Sequence, residues 1–571
     1  MTAELAFIDY EALEAELGEL QSGASRWSRT SLAERADLLA QVASLAIETA
    51  PGWVAAACRA KHLPVESTLA GEEWLSGPYP VAMNAATLAH SIQSLAAGKS
   101  PLDDVPMETA PGGRQAAKVF PGSIWDRLLL SGFEARVWFQ PGVTKESAHR
   151  LAGLAQRDPD LAGGISVVLG AGNIASIAVL DTLYELVAHN RVVILKLNPI
   201  LDELFDPIQK VLEPLISVNA VRVVTGDAGI GGFLVDHPAV NHVHITGSAS
   251  SHDAIVYGAG EEGARRKADN ERTLSKTITS ELGGVSPTIV IPDKWSNRDI
   301  KFQAEHVATQ RLHNSGHNCI ATQVVVIPAN WPMKERFLER LRTEIEAAPG
   351  RESFYPGTSG RLHDAVAAHP GFALKCDNDR VLIQGLSPDS RADAFKVEYF
   401  SSVLAVVEVP GTGEDYLTGA AAFVNNQLTG TLGANVLVHP KVVRKLGGAF
   451  ESFVESLHYG TVAVNAWTAV GYLTAAAPWG GFPGATLDNV QSGIGIVHNA
   501  LLLAETERTV VKGPFRPFPR SVATGQMTIA PKPAWFVRNR TSAGTGRLLV
   551  RFVAKPSAAK LPRIFASALR G

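Results

Sequence analysis

The chain has 571 residues, of which 46% are hydrophobic and 19% are charged; 52 Lys and Arg oppose 56 Asp and Glu, for a net charge of −4. This composition excludes disorder, collagen and coiled coil as descriptions of the whole chain, and the length allows about three or four domains. A net charge so close to zero argues against a generally basic nucleic-acid binder.

The predicted elements begin with helices and continue as alternating strands and helices. Residues 1–100 read as mostly helical, and Ser31 is a candidate N-cap for the segment 31–50. Repeated β-α-β units predict parallel sheets with helices on both faces. The expected strands of a first such domain are 165–169, 191–196, 221–224, 242–246 and 287–291, with helical segments at 174–189 and 200–216, and those of a second are 324–328 and 402–409.

Location is predicted from three short observations. The cysteines Cys58, Cys319 and Cys376 form neither a disulfide framework nor a metal site by spacing, so we expect a reducing, cytoplasmic compartment and no metal. The acidic N-terminus has no apolar core segment, so we expect no signal peptide. The uncharged stretch 161–180 is broken by GAGN, which favours strand, turn and helix start over a membrane span.

Charge is divided unevenly along the chain. Thirteen of the 52 basic residues and none of the 56 acidic residues lie between Arg508 and Gly571, which leaves a net charge of −17 for residues 1–507. Within this extension, 514–519 and 531–536 predict irregular chain, 546–555 an amphipathic strand and 560–570 a short helix. Three roles are compatible with this pattern: an arm across a partner subunit, peripheral contact with anionic lipid, or nucleic-acid binding, of which we expect the first.

GAGNIA (170–175) follows a strand and opens a helix, as the dinucleotide fingerprint G-x-G-x-x-G/A does. That motif requires an acidic residue about 20 positions later, where Lys196 stands instead. The residues alone therefore leave two interpretations: a pyrophosphate cradle, or a glycine turn that packs a helix on a sheet.

Three further segments resemble, in order and spacing, the aldehyde dehydrogenase superfamily: TGS (246–248), ELGG (281–284) and NSGHNCIA (314–321). The resemblance extends over roughly residues 30–500, with supporting segments VVILKLNP (192–199), VEYFSSVLAV (397–406), NNQLTGTLGANV (425–436), GTVAVNAW (460–467) and PWGGF (478–482). It implies that Asn173 of GAGNIA points its amide at the reacting carbonyl, and that the phosphates lie nearer Thr246-Gly247-Ser248.

The resemblance implies a catalytic set of Cys319, Glu281 and Asn173. Cys319 would be the nucleophile, as a thiolate that we expect to be partly ionised near neutral pH. The Asn173 amide and the Cys319 N–H would stabilise the oxyanion, and Glu281 would deprotonate the water that hydrolyses the thioester. By residue type alone, Cys319 could be a buried inert thiol, Glu281 a solvated carboxylate and Asn173 a helix N-cap.

The resemblance also implies NAD or NADP as cofactor. Its expected contacts are Lys196 with the adenosine ribose, Glu398 with the nicotinamide ribose and Phe400 near the ring. The full predicted set is Lys196, Thr246, Gly247, Ser248, Leu282, Glu398 and Phe400.

Three positions depart from the family pattern. Pro199 stands where many relatives carry a glutamate that selects NAD, so the choice between NAD and NADP stays open. His252 replaces a glycine after TGS, where we expect it to alter how the cofactor lies. His317 replaces a glutamine two residues before the nucleophile, where it either tunes the thiol or is structural.

The predicted fold is α/β and similar to aldehyde dehydrogenases, with a Rossmann-type cofactor domain, an α/β catalytic domain and oligomerisation segments. The expected boundaries are 1–280 for the cofactor domain (with an oligomerisation segment near 130–160), 281–480 for the catalytic domain, 481–507 for a return segment and 508–571 for the basic extension.

The predicted activity is oxidation of an aldehyde to a carboxylic acid. The alternatives are a CoA-acylating enzyme, which commonly lacks the base at Glu281, and a non-catalytic protein of the same fold. Ile174, Ile177 and Trp467 indicate an apolar aldehyde. The expected partners are a second or further copies of the chain in a homodimer or homotetramer, with no nucleic acid and with membrane contact through the basic extension as an open alternative.

Overall fold

The structure is a computed structural model that describes residues 10–161 and 163–571. The N-terminal segment on which the signal-peptide prediction depends lies partly outside these residues. The helices are α1 (Tyr10–Trp27), α2 (Leu32–Glu48), α3 (Ala50–Ala60), α4 (Ala70–Ser76), α5 (Pro78–Ala96), α6 (Ile124–Leu129), α7 (Lys145–Leu151), α8 (Ile177–Ala188), α9 (Phe205–Ile216), α10 (Ala228–Asp236), α11 (Ala249–Tyr257), α12 (Gly260–Ala268), α13 (Asn297–Leu312), α14 (Lys334–Ala347), α15 (Thr358–Ala368), α16 (Gly413–Gln427), α17 (Pro440–Leu446), α18 (Gly448–Ser456), α19 (Ala469–Leu473), α20 (Arg520–Ala523), α21 (Ser542–Ala554) and α22 (Leu561–Ala568).

The strands alternate with these helices over most of the chain. They are β1 (Met107–Thr109), β2 (Gln115–Phe120), β3 (Glu134–Phe139), β4 (Ile165–Leu169), β5 (Val192–Lys196), β6 (Val221–Val224), β7 (His242–Gly247), β8 (Thr277–Leu282), β9 (Ser286–Val290), β10 (Thr322–Pro328), β11 (Ala373–Cys376), β12 (Arg380–Leu386), β13 (Val403–Val409), β14 (Gly433–Leu437), β15 (Thr461–Val464), β16 (Gly493–Ile494) and β17 (Thr506–Lys512). The predicted N-cap Ser31 is confirmed, since its side chain accepts a hydrogen bond from the Glu34 N–H.

A six-stranded sheet with the order β16-β8-β7-β4-β5-β6 forms the first α/β unit. Its strands are parallel except for β16, which runs antiparallel to β8. The buried strand β4 is followed by a turn and by α8, so the strand-turn-helix interpretation of 161–180 is confirmed. Because parallel strands present their carboxyl ends at one edge, the loops after β4, β5, β7 and β8 meet there.

An eleven-stranded sheet with the order β1-β2-β3-β17-β15-β14-β9-β10-β13-β12-β11 forms the second unit. Its two faces bury separate cores: Val324 and Val326 of β10 lie in one cluster, and Val325 and Ile327 in the other. This alternation follows from the two-residue period of a strand. The predicted second α/β domain is therefore confirmed.

Arg508, the expected start of the extension, lies inside β17. That strand runs parallel to β15 and antiparallel to β3, which belongs to the segment expected near 130–160 to serve oligomerisation. β17 thus joins the three antiparallel strands β1–β3 to the rest of the eleven-stranded sheet within one chain. The extension that lies outside the sheets begins after Lys512.

The extension packs on its own chain through paired charges. Arg516 binds the Asp299 carboxylate with bonds of 2.6 and 2.8 Å, and Lys532 lies 3.2 Å from Glu305. Arg538 also pairs with Glu344. These basic groups of the extension therefore meet acidic groups of their own chain. The arm across a partner subunit stays a prediction.

The predicted strand at 546–555 is wrong, whereas the predicted helix at 560–570 is confirmed by α22. Residues 546–554 belong to α21, which packs closely against α4. A Cβ at Gly71 would lie 2.0 Å from Ser542 Oγ, and one at Gly546 would lie 2.8 Å from Trp74 Cβ. Small residues on both helices permit this approach, and such a tertiary contact is not visible in the local alternation of apolar residues.

Within the described part of the chain, no single helix is long and apolar enough to cross a bilayer, although the bent pair α2 and α3, at 64°, meets that test by length and composition.

Candidate active site

The loops at the carboxyl edge of the six-stranded sheet face the loop that ends α13. Asn173 follows β4, Glu281 is the second-last residue of β8, and Cys319 lies between α13 and β10. The structure therefore brings the three predicted catalytic residues to one site from three separate elements. Asn173 and Glu281 are 5% and 4% exposed, and Cys319 is partly exposed.

The GAGN loop packs against the turn that follows β5. The Gly170 N–H donates to the Lys196 carbonyl at 3.0 Å, and a Cβ at Gly172 would lie 2.7 Å from the Asn198 side chain. The direction in which a pyrophosphate would approach Gly172 is thus filled by protein. This geometry favours the second interpretation of the motif, a glycine turn that packs a helix on a sheet.

Asn173 is not the N-cap of α8, because that helix begins at Ile177 with Ser176 in the cap position. Its Nδ2 donates instead to the His317 carbonyl at 3.3 Å. Asn314 Nδ2 donates to the carbonyls of Asn173 and His317, at 3.0 and 2.8 Å. The Asn173 amide is therefore held beside the Cys319 loop, with its second N–H left for another acceptor.

The loop before Cys319 contains consecutive residues in the left-handed region. Asn314, Ser315 and Gly316 have φ values of 55°, 57° and 77°. Buried Arg311 holds the two sides of the loop, since it donates to the Gly316 carbonyl at 2.7 Å and the Thr322 carbonyl at 3.3 Å. Non-glycine residues adopt this backbone region only when the surroundings impose it.

A buried ion pair from the N-terminal helices supports that loop from behind. Lys61 and Glu73 are fully buried and lie 2.9 Å apart, and Lys61 also donates to Asn314 Oδ1 at 3.2 Å. Glu72 accepts from the Asn314 N–H at 3.0 Å. Lys61, Glu72 and Glu73 were not predicted to support the site. The feature that could have indicated them is the pair of carboxylates inside the apolar stretch LAGEEWLSG.

The pKa of Cys319 is raised well above its ordinary value, by burial first and then by the charges of Glu281 and Glu398. The expectation of a partly ionised thiol near neutral pH is therefore wrong for this environment. The physical reason is that a thiolate loses hydration here and faces two carboxylates. Cys319 Sγ donates to Asn318 Oδ1 at 3.8 Å, and the Glu281 carboxyl lies close enough for its charge to raise the pKa of the thiol.

Burial and, after it, the charge of Asp181 raise the pKa of Glu281 to about 8, against the opposing effect of the Trp479 indole. Trp479 Nε1 donates to Glu281 Oε1 at 3.0 Å. A carboxyl with such a pKa exchanges protons near neutral pH, as a general base must. Trp479 lies in the supporting segment PWGGF, and no role was predicted for it.

A buried polar cluster lies behind Glu281, centred on Asp181. The Thr246 hydroxyl donates to Asp181 Oδ2 at 2.7 Å, and His244 and His498 lie 3.5 and 3.4 Å from its carboxylate. Burial alone would raise the pKa of Asp181, but the two histidines hold it below its ordinary value. The Thr246 side chain therefore faces the interior, and of the predicted TGS contacts only Gly247 and Ser248 are exposed.

The remaining predicted cofactor residues surround the same edge of the sheet. Lys196 ends β5 with 7% exposure, and burial lowers its pKa while Asp202 and Asp227 oppose that change. Burial raises the pKa of Glu398 to about 7, although a bond from the Gly284 N–H lowers it. Leu282 is 1% exposed, so only its backbone can face a ligand.

The two histidines that depart from the family pattern are buried. His252 is fully buried in α11, so its side chain faces the interior and not the exposed helix start. His317 Nδ1 lies 2.8 Å from the Phe400 carbonyl and its Nε2 lies 3.0 Å from Ser353 Oγ. Burial lowers the pKa of His317 to about 3. It therefore holds the Phe400 backbone, of φ 43°, as a neutral ring.

An apolar cavity of about 40 Å³ lies beside Cys319. Its wall includes Ile174, Ile177, Trp467 and Tyr472. A cavity needs about 10–15 Å³ on this scale to admit one water, so the space next to the thiol is narrow. Among residues 10–161 and 163–571, no group of three or more His, Cys, Asp or Glu side chains is arranged to hold a metal ion.

Comparisons with known proteins point to one family. The model of the aldehyde dehydrogenase family matches residues 208–359. The protein named "Putative aldehyde dehydrogenase AldX" from Bacillus subtilis is 24% identical over 196 residues, which is 34% of this chain and 40% of that protein. A putative aldehyde dehydrogenase from Staphylococcus haemolyticus is 26% identical over 221 residues, which is 32% of this chain and 42% of that protein. The chain thus spans about 40% of the length of these curated relatives.

Solved structures match over a longer part of the chain and show the fold. An NADP-dependent glyceraldehyde-3-phosphate dehydrogenase from Bacillus halodurans, complexed with NADP, covers 88% of this chain and 91% of its own, at 18% identity and a TM-score of 0.58. A mutant of aldehyde dehydrogenase C from Pseudomonas syringae, with NAD+ and octanal, covers 88% of each chain, at 16% identity and a TM-score of 0.56. The local family match and the shared α/β fold make the chain similar to the aldehyde dehydrogenases.

Proposed function

We propose that the chain oxidises an aldehyde to a carboxylic acid with NAD or NADP. The observation that carries this proposal is the position of Cys319 in the wall of a narrow apolar cavity, with the Asn173 amide bound to the loop before it and the Glu281 charge close enough to raise its pKa. The similar structures support it, since they are dehydrogenases in complex with NADP or with NAD+ and octanal.

The residues at the sheet edge fit a dinucleotide. The start of α11 is exposed from Gly247, and a Cβ at this glycine would meet only Ile245, at 3.5 Å. A helix start with free N–H groups binds phosphate oxygens. Lys196 would hold the adenosine ribose and Glu398 the nicotinamide ribose. NAD or NADP, when bound, supplies the hydride acceptor for the oxidation.

The first part of the proposed mechanism is proton transfer and attack. Glu281 accepts the Cys319 proton, and Sγ forms a bond to the aldehyde carbon. The carbonyl oxygen becomes an oxyanion, which accepts hydrogen bonds from the free N–H of Asn173 Nδ2 and from the Cys319 backbone N–H. The His317 carbonyl keeps the Asn173 amide in place throughout.

The second part is hydrolysis of the thioester that would remain on Cys319 once the thiohemiacetal carbon has lost its hydride to bound NAD or NADP. Glu281 first releases the Cys319 proton to solvent and then removes a proton from water, whose oxygen attacks the acyl carbon while the carbon–sulfur bond breaks and Cys319 leaves as a thiolate. The Trp479 indole keeps one carboxylate oxygen of Glu281 fixed, so the other is available to the water. A CoA-acylating enzyme would instead pass the acyl group to an external thiol.

The test is a panel of aldehydes supplied with NAD+ and with NADP+, each with and without CoA. We expect turnover without CoA that is lost in Cys319→Ala and retained in Cys376→Ala, which removes a half-buried thiol in another part of the fold. A strict CoA requirement would replace hydrolysis by acyl transfer. Full activity of Cys319→Ala would refute the mechanism, and inactivity of the unaltered chain toward every aldehyde would favour a non-catalytic protein.

A further inference from the structure

A second and much larger cavity adjoins the narrow cavity at Cys319. Its volume is about 480 Å³, compared with about 40 Å³ beside the thiol. Leu75, Leu473 and Trp535 belong to the walls of both cavities. Leu75 and Trp535 are 5% and 9% exposed, so this shared wall is a buried apolar constriction. The two cavities are therefore adjacent, and Cys319 lies in the wall of the smaller one.

The extension beyond Lys512 supplies one side of the large cavity. Trp535, Leu549 of α21 and Phe565 and Ala568 of α22 all line it. On the opposite side, α5 contributes residues spaced four, four, three and four apart along one face: Tyr79, Met83, Thr87, His90 and Ser94. The cavity is thus formed between the helical N-terminal segment and the extension, and it exists only when both are docked.

Three of the five charged side chains in the wall have protein partners. Lys118 lies 2.7 Å from Glu134, and Lys532 lies 3.2 Å from Glu305. Asp126 accepts from two backbone N–H groups at the start of α6, at 3.0 and 2.9 Å. The other two, Asp104 and Arg127, are exposed to solvent, so an uncharged apolar occupant leaves no buried charge in the wall unpaired.

We propose that the substrate is a long, unbranched aliphatic aldehyde, whose alkyl chain occupies this cavity and whose carbonyl reaches Cys319 past Leu75, Leu473 and Trp535. A volume of about 480 Å³ lies within the range of about 300 to 1,000 Å³ that is typical of sites enclosing small-molecule ligands. The narrow space beside the thiol admits an unbranched chain and excludes a bulky one. This inference rests on the proposed function and names its substrate class.

The experiment measures kcat/KM for the straight-chain aldehydes from butanal to dodecanal. We expect kcat/KM to rise about fourfold for each methylene that enters the cavity. A kcat/KM that does not change with chain length, together with Cys319-dependent oxidation of butanal, would overturn the inference while leaving the proposed function intact.

A matched pair of variants in α22 tests whether the alkyl chain of the substrate occupies the large cavity. Ala568→Phe puts a ring into the cavity, whereas Ala566→Phe puts the same ring on the exposed side of the same helix. If the ring excludes two methylenes, the dodecanal-to-butanal ratio of kcat/KM falls about sixteenfold in Ala568→Phe. Ala566→Phe should keep the ratio of the unaltered chain. Equal ratios in the two variants would overturn the inference.

A binding measurement decides the matter if no aldehyde is oxidised. Calorimetric titration of the full chain with dodecanoate, the unreactive product of the longest substrate, should show saturable binding that Ala568→Phe weakens and Ala566→Phe retains. Absence of binding to the unaltered chain would overturn the inference.

Discussion

The replacement Asp181→Asn should move the acidic limb of the kcat–pH profile to lower pH. Glu281 must be a carboxylate to deprotonate water, and burial with the nearby charge of Asp181 raises its pKa to about 8. With that pKa, about one molecule in eleven carries the carboxylate at pH 7 and about ten in eleven at pH 9. We therefore expect kcat of the unaltered chain to rise about tenfold between these pH values.

The size of the shift follows from the positions of the two carboxyl groups. Thr246 pairs with Glu281 across β7 and β8, and its hydroxyl binds Asp181, which places the carboxylates on the order of 10 Å apart. At an effective dielectric constant of about 20, one charge at that distance contributes about 1.7 kcal/mol, a little over one pH unit. The charge of His244 lowers the pKa of Glu281 and so offsets part of the increase that Asp181 causes. A decrease of about one pH unit in the pKa would raise kcat at pH 7 about fivefold.

The assay is kcat against pH from 6 to 9.5 at saturating aldehyde and cofactor, with a pre-steady-state burst to establish that hydrolysis limits turnover. Trp479→Phe provides a control of opposite sign, because loss of the indole bond to Glu281 should raise the carboxyl pKa. Glu281→Gln should lose both the limb and the activity. A profile without a limb, or limbs that move in the same direction in Asp181→Asn and Trp479→Phe, would refute the reasoning.

Three further changes have defined outcomes. Asn173→Ala should lower kcat about 100- to 1,000-fold without abolishing cofactor binding, as measured by steady-state kinetics and by titration with the cofactor, because it removes one oxyanion donor. His317→Gln should leave the acidic limb in place, since a ring with a pKa of about 3 is already neutral there; a displaced limb would restore the thiol-tuning role. Arg516→Met should lower the free energy of unfolding by about 2 kcal/mol in urea titrations, because it removes the bidentate partner of the buried Asp299 carboxylate while Arg520 and Ser296 remain bound to it, and Arg540→Met, at an exposed site, should change it little. The pKa of Asp299 is held below its ordinary value, so this contribution should be present above about pH 4 and should fade as the pH falls below it, which the same titrations at pH 7 and pH 3 would measure; an equal loss at both pH values would contradict it.

The strands and the helix starts were predictable because their signals are local. Ser31 caps its helix through a bond three residues away, and β4 follows from a short β-branched run before a glycine turn. The ordered motifs also placed Asn173, Glu281 and Cys319 at one site, through the family resemblance that they carry. Loops after parallel strands meet at one edge, which brings Asn173 and Glu281 together, whereas Cys319 comes from the loop between α13 and β10. The strand predicted for 546–555 is wrong. Its alternating apolar and polar residues indicate a strand locally, whereas residues 546–554 form part of a helix that packs against α4.

The division of charge between an acidic body and a basic extension is a property of the sequence alone. Where those charges meet depends on the tertiary structure, which brings Arg516 to Asp299, more than 200 positions earlier in the chain. The same holds for the protonation of the site, since the pKa values of Cys319 and Glu281 depend on burial and on charges brought from Asp181 and Glu398. Sequence order thus determined which groups are present and on which element each lies. The distances and burial that give those groups their chemistry arise only when remote segments pack together, because desolvation and Coulomb interactions depend on position in space.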